Sequence, residues 1–358
     1  MTHLSMTHGT ARIVVGVDTH ADVHVAAALD LLGRVVGRLE VPTTAHGYGR
    51  LLGWSRALDA NVIFGVEGTG AYGAGLARYL TASGCDVAEV NRPDRRDRRS
   101  RGKSDPLDAE AAARAVLAGG IAGVAKADHD RVGMIRTLRV ARRSALKMRT
   151  QAINQMKALV ITAPDELRAR LRQLANTDLV AVSAAARPGL IVTPLAAAKL
   201  ALRSLAIRYQ GLSAELNTLD VELCRLTAEV APVLANLKGV GPDVAGALLV
   251  AAGDNPERLR SDAAFASLCG VSPVPASSGK TNRYRINRGG DRIANNALWR
   301  IVMVRLTCDE RTQTYVARRT VQGMAKRDII RCLKRYVARE VYHALLAPHA
   351  PALGLAKA

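Results

Sequence analysis

The sequence predicts an α/β domain at the N-terminus, a helical coiled-coil middle and a mostly α-helical C-terminal domain. Strand and helix patterns alternate from Arg12 to about Gly120, strand patterns then disappear as far as Glu229, and strongly basic helices follow. A chain of 358 residues is long enough for two or three domains. The predicted parts are a tail at 1–10, an α/β domain at 11–125, a helical spacer at 126–230, a C-terminal domain at 231–348 and a tail at 349–358.

The elements of the α/β domain follow in the order β-β-β-α-β-α-β-α. Three apolar strands that can form a meander come first, and helices and strands then alternate, which predicts a mixed five-stranded sheet covered by helices. This order is similar to the ribonuclease H type of fold. The predicted strands are 12–17, 23–30, 35–41, 62–67 and 85–90, and the predicted helices are 45–58, 72–83 and one after 104.

The helical middle is rich in Leu, Ala and Arg, and its helices are expected to break near Pro164 and Pro188. One apolar stripe recurs there at steps of three and four residues, as a single helix face requires. We expect a helical spacer or a coiled-coil arm of a dimer. The alternative is a bundle within one protomer, because the heptad run is too short to force a coiled coil. The stripe consists of Leu212, Leu216, Leu219, Leu223, Leu226 and Val230.

The segment Leu237–Leu249 predicts a helix-hairpin-helix in the C-terminal domain. Gly239 and Gly241 permit a tight turn, and Pro242 is suited to the first position of the second helix. The exposed backbone amides of such a turn can bind a DNA phosphate without reading the base sequence. A plain helix boundary at Gly-Pro is the alternative.

Acidic residues stand at the ends of two apolar runs and at the start of a helix. Asp18 ends IVVGVD and Glu67 ends VIFGVE, and neighbouring parallel strands end at the same edge of a sheet. Asp105 and Asp108 in KSDPLDAEAAARAVL share the first-turn face of the predicted helix. The four carboxylates are therefore expected to converge.

Four carboxylates packed together resist ionisation unless a cation lies among them. Mg²⁺ takes oxygen ligands, and paired metal ions act on phosphodiesters. The sequence therefore predicts a site with two Mg²⁺ ions held by all four acids. The alternative is that the acids end strands by chance and Asp105 only complements the helix dipole.

Histidine and cysteine patterns predict no further metal site. The THADVH segment places His20 and His24 near Asp18, which suits a transition metal, but a polar turn between two strands explains the same residues. The five cysteines are far apart and include no CxxC pair, so neither a zinc site nor a disulfide framework is expected.

The charge balance indicates a polyanionic partner. Lys and Arg number 51 against 31 Asp and Glu, giving a net charge of +20 and a pI near 10.4, which favours nucleic acid. No stretch approaches the roughly 20 apolar residues of a spanning helix, and the N-terminus lacks a signal-peptide layout. We expect a cytoplasmic, nucleoid-associated protein without membrane contact.

Two basic clusters are candidates for binding nucleic acid. The loop before the acidic helix is expected to draw a phosphate backbone toward the carboxylates; its members are Arg92, Arg95, Arg96, Arg98, Arg99, Arg101 and Lys103. In the second cluster, the candidates are Lys280, Arg283, Arg285, Arg288 and Arg292. Helices in this region are expected to bury their other faces through Leu298, Ile301, Val304, Leu333, Val337 and Val341.

The serine doublet between these basic residues invites two interpretations. Ser277-Ser278-Gly279-Lys280 is not a phosphate loop, because that pattern needs glycine at the position of Val274. Ser278 can instead be an exposed nucleophile whose basic neighbours stabilise a developing phosphorane charge. The alternative is an ordinary loop residue, since no nearby histidine supports a hydrolase triad.

Taken together, these segments resemble DEDD transposases, or recombinases, of the insertion sequence one-ten family. The similarity spans roughly residues 12–120 and 235–345. It rests on GVDTH, GVEGTGAYG, VNRPDRR, GKSDPLDAEAAA, LKGVGPDVAGALL and GVSPVPASSGKTNRYRINRGGDRIANNAL.

The resemblance implies a RuvC-like N-terminal domain and a C-terminal transposase domain with a catalytic serine. Carried over by position, the metal-binding tetrad is Asp18, Glu67, Asp105 and Asp108, and the serine is Ser278, with Ser277 as the alternative. The implied partners are DNA, at the element ends and target, and a structured noncoding RNA that bridges them. Dimers that pair into tetramers on DNA are also implied.

Two other functions stay open at this point. A metal-dependent nuclease of the Holliday-junction type would use the acids with water as the nucleophile, leaving Ser278 idle. A noncatalytic nucleic-acid scaffold would need neither the acids nor the serine for chemistry.

Overall fold

The computed structural model of the protein describes residues 12–90, 104–119, 123–124, 130–277 and 284–347. The chain divides into two compact units. The first contains the described residues up to Asp130 together with Ala252–Arg260, and the second contains Arg131–Ala251 and the described residues from Ser261 onward. The boundary between a helical spacer and a C-terminal domain stays a prediction.

The first unit is an α/β structure with all five predicted strands and the three predicted helices. Each described element begins and ends within two residues of its predicted position, and a two-residue strand adds one more member to the sheet. The elements are β1 (Ile13–Thr19), β2 (Val23–Asp30), β3 (Val35–Pro42), α1 (Ala45–Leu58), β4 (Val62–Glu67), α2 (Ala74–Ala82), β5 (Asp86–Val90), α3 (Asp105–Leu117) and β6 (Gly123–Val124).

The sheet is mixed and has the strand order β3-β2-β1-β4-β5-β6. β1, β4 and β5 are parallel, whereas β2, β3 and β6 pair antiparallel to their neighbours. β1 is buried along its whole length, as the continuous apolar run of a central parallel strand predicts. β3 alternates between half-buried and exposed positions over most of its length, which is typical of an edge strand with one solvated face.

Helices cover both faces of the sheet. Val15 and Val17 of β1 pack with α1 and α2 through residues such as Leu51 and Leu76. Val14 lies on the opposite face, in a cluster with Ala residues of α3. Successive residues of a strand point to opposite faces, so the two cores alternate along β1.

The second unit is mostly helical. Its helices are α4 (Arg131–Thr162), α5 (Asp165–Leu171), α6 (Asn176–Ala184), α7 (Pro194–Val230), α8 (Pro232–Ala235), α9 (Pro242–Ala252), α10 (Asp262–Leu268), α11 (Arg292–Cys308), α12 (Glu310–Val321) and α13 (Lys326–Leu346). A small hairpin of β7 (Val274–Pro275) and β8 (Tyr284–Arg285) interrupts them. The helix breaks expected near Pro164 and Pro188 are both present.

The apolar stripe of α7 packs against α4 of the same chain. Leu212 and Leu216 are buried in one cluster with Ala145. Farther along, Met156 of α4 shares a second cluster with Leu202 of α7. Because later residues of α4 meet earlier residues of α7, the two helices are antiparallel. A bundle within one protomer therefore accounts for the burial of this stripe, and a coiled-coil arm between protomers stays a prediction.

The C-terminal helices bury the faces that their apolar spacing predicts, with one exception. Leu298 and Ile301 of α11 and Leu333, Val337 and Val341 of α13 are buried. Val304 was expected on the same face of α11, but it is 45% exposed. The physical reason lies one residue later, where the Arg305 guanidinium bonds to the Lys238 carbonyl and to Glu340 and so occupies the inward position.

The turn before α9 contains the two glycines of the predicted helix-hairpin-helix. Gly239 has φ of 84°, and a β-carbon there would lie 3.2 Å from the Ile301 carbonyl oxygen. A β-carbon at Gly241 would meet no atom within 4 Å. α9 begins at Pro242, as predicted, while α8 has only four residues. A helix-hairpin-helix that binds DNA stays a prediction.

Candidate functional site

Alternation along two parallel strands directs two predicted acids to the same face of the sheet. Val17 of β1 is in register with Val66 of β4. The next residues, Asp18 and Glu67, therefore lie at the same level, at the carboxyl ends of adjacent strands. Val17 and Val66 both pack toward α1 and α2, which leaves Asp18 and Glu67 on the α3 face. Both acids are buried.

Two glycines allow α3 to lie directly on these strands. A β-carbon at Gly16 would be 2.1 Å from the carbonyl oxygen of Ala109 and 2.3 Å from the amide nitrogen of Ala113. At Gly65 it would be 2.6 Å from Cγ2 of Val116. These contacts place the middle of α3 over the strands, so its first turn reaches their carboxyl ends.

The first turn of α3 carries the other two predicted acids. Ser104 is the N-cap residue, and its carbonyl accepts a hydrogen bond from the Asp108 amide. The Asp108 side chain is buried, whereas that of Asp105 is about half exposed. Acids are favoured at this end of a helix because the dipole is positive there.

His20 joins the acidic cluster, although its sequence context favoured a polar turn residue over a metal ligand. Its Nε2 lies 3.1 Å from Asp18 Oδ2 and 3.4 Å from Asp105 Oδ1. One potential ligand atom from each of these three residues lies within 4.8 Å of the others. The turn from β1 to β2 thus brings an imidazole to the carboxylates of a strand end and a helix start.

The environment of Asp18 disfavours its negative charge. Burial raises the pKa of Asp18 above its usual value, and the charges of Asp108 and Asp105 raise it further, while His20 acts in the opposite direction. A divalent cation would relieve this repulsion, and carboxylate oxygens are the ligands that Mg²⁺ prefers. The residues present therefore fit a divalent metal. The charges of Asp105 and Asp108 act on Asp18, and Glu67 ends the adjacent strand.

A further buried acid of the same helix is paired and belongs to the scaffold. Glu110 accepts hydrogen bonds from Arg38 Nη2 at 2.6 Å and from Arg114 Nη2 at 3.0 Å. Burial alone would raise the pKa of Glu110, but these two guanidinium groups hold it below its usual value. Arg38 belongs to β3, so this ion pair fixes α3 to the edge of the sheet.

His24 lies on the opposite face of the sheet from the acidic cluster. Its ring is buried and stacks on Tyr48 with centroids 5.7 Å apart. Neither ring nitrogen has a hydrogen-bond partner among the described residues, and burial lowers the pKa of His24. The THADVH segment therefore contributes His20 to the cluster and His24 to the core.

Several predicted nucleic-acid-binding residues lie outside the described residues. They are Arg92, Arg95, Arg96, Arg98, Arg99, Arg101, Lys103, Lys280 and Arg283, and the predicted nucleophile Ser278 is among the undescribed residues as well. Ser277 is described and follows β7 by two positions.

Arg285, Arg288 and Arg292 come together in the second unit. All three are exposed and line a cavity of about 810 Å³ between the β7–β8 hairpin, the start of α11 and α13. Residues of α13 complete its basic wall: Arg331, Lys334 and Arg335. The charge of this helix was visible in the sequence, but the fold was needed to show which of its basic residues share a surface.

Comparison with known protein families gave two matches. A model described as Transposase, for DEDD transposases of IS110 elements, matches residues 15–164. A second model, described as Transposase IS116/IS110/IS902 family, matches residues 231–317. Comparison with curated protein sequences found no match. Among the described helices, none combines the length and apolar character needed to cross a membrane. The two family matches together span more than half of the chain and contain both the acidic cluster and the hairpin region, and the protein therefore belongs to the IS110 family of DNA transposases.

Proposed function

We propose that this transposase cuts and rejoins DNA strands at an Mg²⁺ site formed by Asp18, Glu67, Asp105 and Asp108, two ions per site. The observation that carries the proposal is that Asp18 and Asp105 both contact His20 at the end of β1, where the charge of Asp108 also acts on Asp18. A mixed sheet with acids at adjacent parallel strand ends supports a RuvC-like domain of the ribonuclease H type.

The carboxylates and His20 have different parts in this proposal. The four carboxylates hold the metal, and His20 orients the carboxylates of Asp18 and Asp105 through its contacts with both. Bound Mg²⁺ supplies Lewis-acid stabilisation of the charge that develops on a scissile phosphate. Burial of Asp18 and Asp108 keeps bulk water from competing for their oxygens.

Ser278 is the proposed nucleophile. Its Oγ forms a bond to phosphorus, the bond from phosphorus to the 3′ oxygen breaks, and the proton lost by the serine is balanced by the one gained by the leaving 3′-hydroxyl. The 3′-hydroxyl of another strand then attacks the serine–DNA phosphoester and releases the serine, so no ATP is required. The Ser-Gly pattern and the arginines that follow it in the sequence support this assignment.

The proposed partners are the DNA of the element ends and target and a structured noncoding RNA that bridges them. A net charge of +20 suits a protein that holds several phosphate backbones at once. Aromatic residues make up only 3% of the chain, so we expect most of the RNA to be held through its backbone and shape. The proposed assembly is a dimer that pairs into a tetramer on DNA, in which the acids of one subunit act with the serine of another.

A covalent adduct tests the serine chemistry directly. Full-length protein is incubated with Mg²⁺ and labelled DNA spanning an element end, then denatured, and the labelled residue is mapped by mass spectrometry. Wild type and Ser277→Ala should form the adduct, and Ser278→Ala should not. The reverse dependence would move the nucleophile to Ser277.

The same experiment separates the proposal from a nuclease that uses water. If Ser278→Ala still cuts the DNA at the wild-type rate without an adduct, the serine mechanism is wrong and the metal-only nuclease is correct. If Asp105→Asn and Asp108→Asn also leave cleavage intact, the acids have no catalytic part.

A further inference from the structure

The cavity beside the β7–β8 hairpin combines strong positive charge with exposed aromatic surface. Its wall contains six cationic side chains and one carboxylate, Asp328. Two of the eight tyrosines in the chain, Tyr284 and Tyr336, also line it and are 71% and 55% exposed. This pairing is informative because aromatic residues are scarce elsewhere in the sequence.

The floor of the cavity is fixed by direct backbone packing. A β-carbon at Gly290 would lie 2.2 Å from the Gly270 amide nitrogen, so the two glycine segments touch without side chains between them. Asn295 Nδ2 donates to the Cys269 carbonyl at 2.8 Å, and its Oδ1 accepts from Lys334 Nζ at 2.8 Å. These contacts join the residues after α10, the start of α11 and the middle of α13 in one preformed wall.

Part of the positive charge is not neutralised by neighbouring acids. Arg331 bonds to Asp328 and Arg335 to Asp262. The other four cationic residues of the wall form no ion pair within the part of the chain that the structure describes. They are Arg285, Arg288, Arg292 and Lys334. Such a surface favours a phosphate group.

The aromatic surface suits a base. Tyr336 packs edge-to-face on Tyr315 with centroids 5.6 Å apart, which restrains its ring. Tyr284 stands on β8, and Ile286 adds apolar surface beside it. Base stacking on aromatic side chains is a main source of affinity for unpaired nucleotides. A cavity of about 810 Å³ is within the usual size range of small-ligand sites, which suits one nucleotide.

We propose that this cavity binds one unpaired nucleotide of a bound DNA or RNA strand, with its phosphate held by the arginines and its base stacked on tyrosine. The inference deepens the proposed function, on which it rests, because it names the form of nucleic acid that the second unit binds. An extrahelical nucleotide held here would anchor the strand next to the hairpin.

The site is expected to tolerate any base. Both polar ends of Asn295 are engaged within the protein, and Asn287 likewise donates to the Ser267 carbonyl and accepts from the Gly289 amide. Each amide thus already has protein partners at both its nitrogen and its oxygen, which limits its part in reading the edge of a base. Affinity would come from stacking and charge, which every nucleotide offers.

Duplexes with one bulged nucleotide test the proposal. Binding of full-length Ser278→Ala protein is measured by fluorescence anisotropy in EDTA, so that no strand is cut, using fully paired, bulged and abasic-bulged duplexes of the same length. We expect the bulged duplex to bind roughly tenfold more tightly than the other two, which is the scale of stacking one base on an aromatic ring. DNA and RNA versions of each duplex identify which strand supplies the nucleotide.

Variants assign the preference to the cavity. Tyr336→Ala and Tyr284→Ala together should abolish it, and Tyr336→Phe, which retains the ring, should preserve it. Trp299→Ala is a matched control, since Trp299 is an exposed aromatic residue of α11 outside the cavity wall; it should leave the preference unchanged. Thermal melting of each variant shows whether it is folded.

Clear outcomes overturn the proposal. Equal binding of bulged and abasic-bulged duplexes, in both DNA and RNA, would mean that no base is held. A preference that survives in the folded double tyrosine variant would place the base elsewhere. These binding measurements need neither metal nor the serine. The bulge preference can therefore be absent while the wild type forms the adduct, and it can be present while no adduct forms.

Discussion

The backbone of α3 crosses β1 at Gly16, where a β-carbon would lie 2.1 Å from the carbonyl oxygen of Ala109. Only a residue without a side chain permits this approach. The contact fixes how far the first turn of α3 reaches, and Asp105 and Asp108 meet Asp18 there. A glycine in the middle of an apolar strand thus determines the geometry of the acidic cluster.

Gly16→Ala should displace α3 and weaken the metal site. We expect a loss of about 1–3 kcal/mol in the free energy of unfolding, as for other overpacked cores, and weaker Mg²⁺ binding because the acids no longer converge. Chemical denaturation and calorimetric titration with Mg²⁺ measure the two effects.

Gly53→Ala is the matched control for this change. Gly53 is an exposed residue of α1, and a β-carbon there would meet no atom within 4 Å. Alanine is favoured over glycine in a helix by about 0.5–1 kcal/mol, so this variant should be slightly more stable and bind Mg²⁺ normally. Equal effects of the two substitutions would show that the close contact at Gly16 does not matter.

Much of the first unit could be predicted from the sequence because its patterns are local. Period-two and continuous apolar runs identified the strands, and the acids ending two of these runs identified one edge of the sheet. His20 could not be assigned in this way. A polar residue in a turn has no periodicity, and its contact with Asp105 depends on a helix 85 positions later in the chain.

In the second unit, long-range packing determines features that local sequence patterns could not predict. The leucine stripe of α7 was correctly predicted as a packing face, but a stripe does not state whether its partner is another chain or α4 of the same chain. The basic cavity likewise depends on the contact of Gly270 with Gly290. Neither glycine stands out among the 30 in the sequence.

Glu110→Gln should destabilise the first unit without removing a metal ligand. Loss of the charge weakens the hydrogen bonds from Arg38 and Arg114, and we expect a cost of about 1–2 kcal/mol at neutral pH. Because the pKa of Glu110 is held below its usual value of 4.5, its contribution is present above pH 4.5 and is lost as the pH falls through the lower folded value. Unfolding curves of both proteins from pH 7 to pH 3 should therefore converge. A constant difference across this range would contradict the ion-pair explanation.

His24→Phe should remove a source of acid sensitivity. The folded protein lowers the pKa of His24 from 6.5 through burial, so the unfolded chain takes up a proton first as the pH falls below that value. Stability that is present above pH 6.5 is then lost toward the lower folded value. Phenylalanine keeps the stack on Tyr48 and has no titrating group. Between pH 7.5 and pH 5, the melting temperature should fall less in the variant than in the wild type. An equal fall in both proteins would exclude His24 as the cause of the acid sensitivity.

Asp243→Asn should destabilise the second unit strongly. Asp243 accepts from Arg139 Nε at 3.1 Å and from Arg300 Nη1 at 2.5 Å, and Arg142 lies 3.8 Å away. Burial alone would raise the pKa of Asp243, but these arginines lower it. Removing the charge leaves the largely buried Arg139 without an acidic partner among the described residues, whereas Arg142 keeps its pair with Asp220. We expect a cost of about 3 kcal/mol.

A surface ion pair provides the comparison for Asp243. Glu222 bonds to Arg225 on the exposed side of α7, and such pairs contribute little because water and salt screen them. Glu222→Gln should therefore leave the urea midpoint unchanged while Asp243→Asn lowers it. Similar midpoints for the two variants would mean that Asp243 does not hold α9 in place.

Thermal unfolding with and without Mg²⁺ measures most directly whether the acidic cluster is a metal site. We predict that Mg²⁺ raises the melting temperature of the wild type, because an ion that binds only the folded state stabilises it by about 2.7 kcal/mol at 100 times its Kd. Asp18→Asn and Asp108→Asn should abolish that increase and, without Mg²⁺, should melt no lower than the wild type, since each removes repulsion. An increase of the same size in the wild type and both variants, or none in any of them, would contradict a metal site formed by these carboxylates.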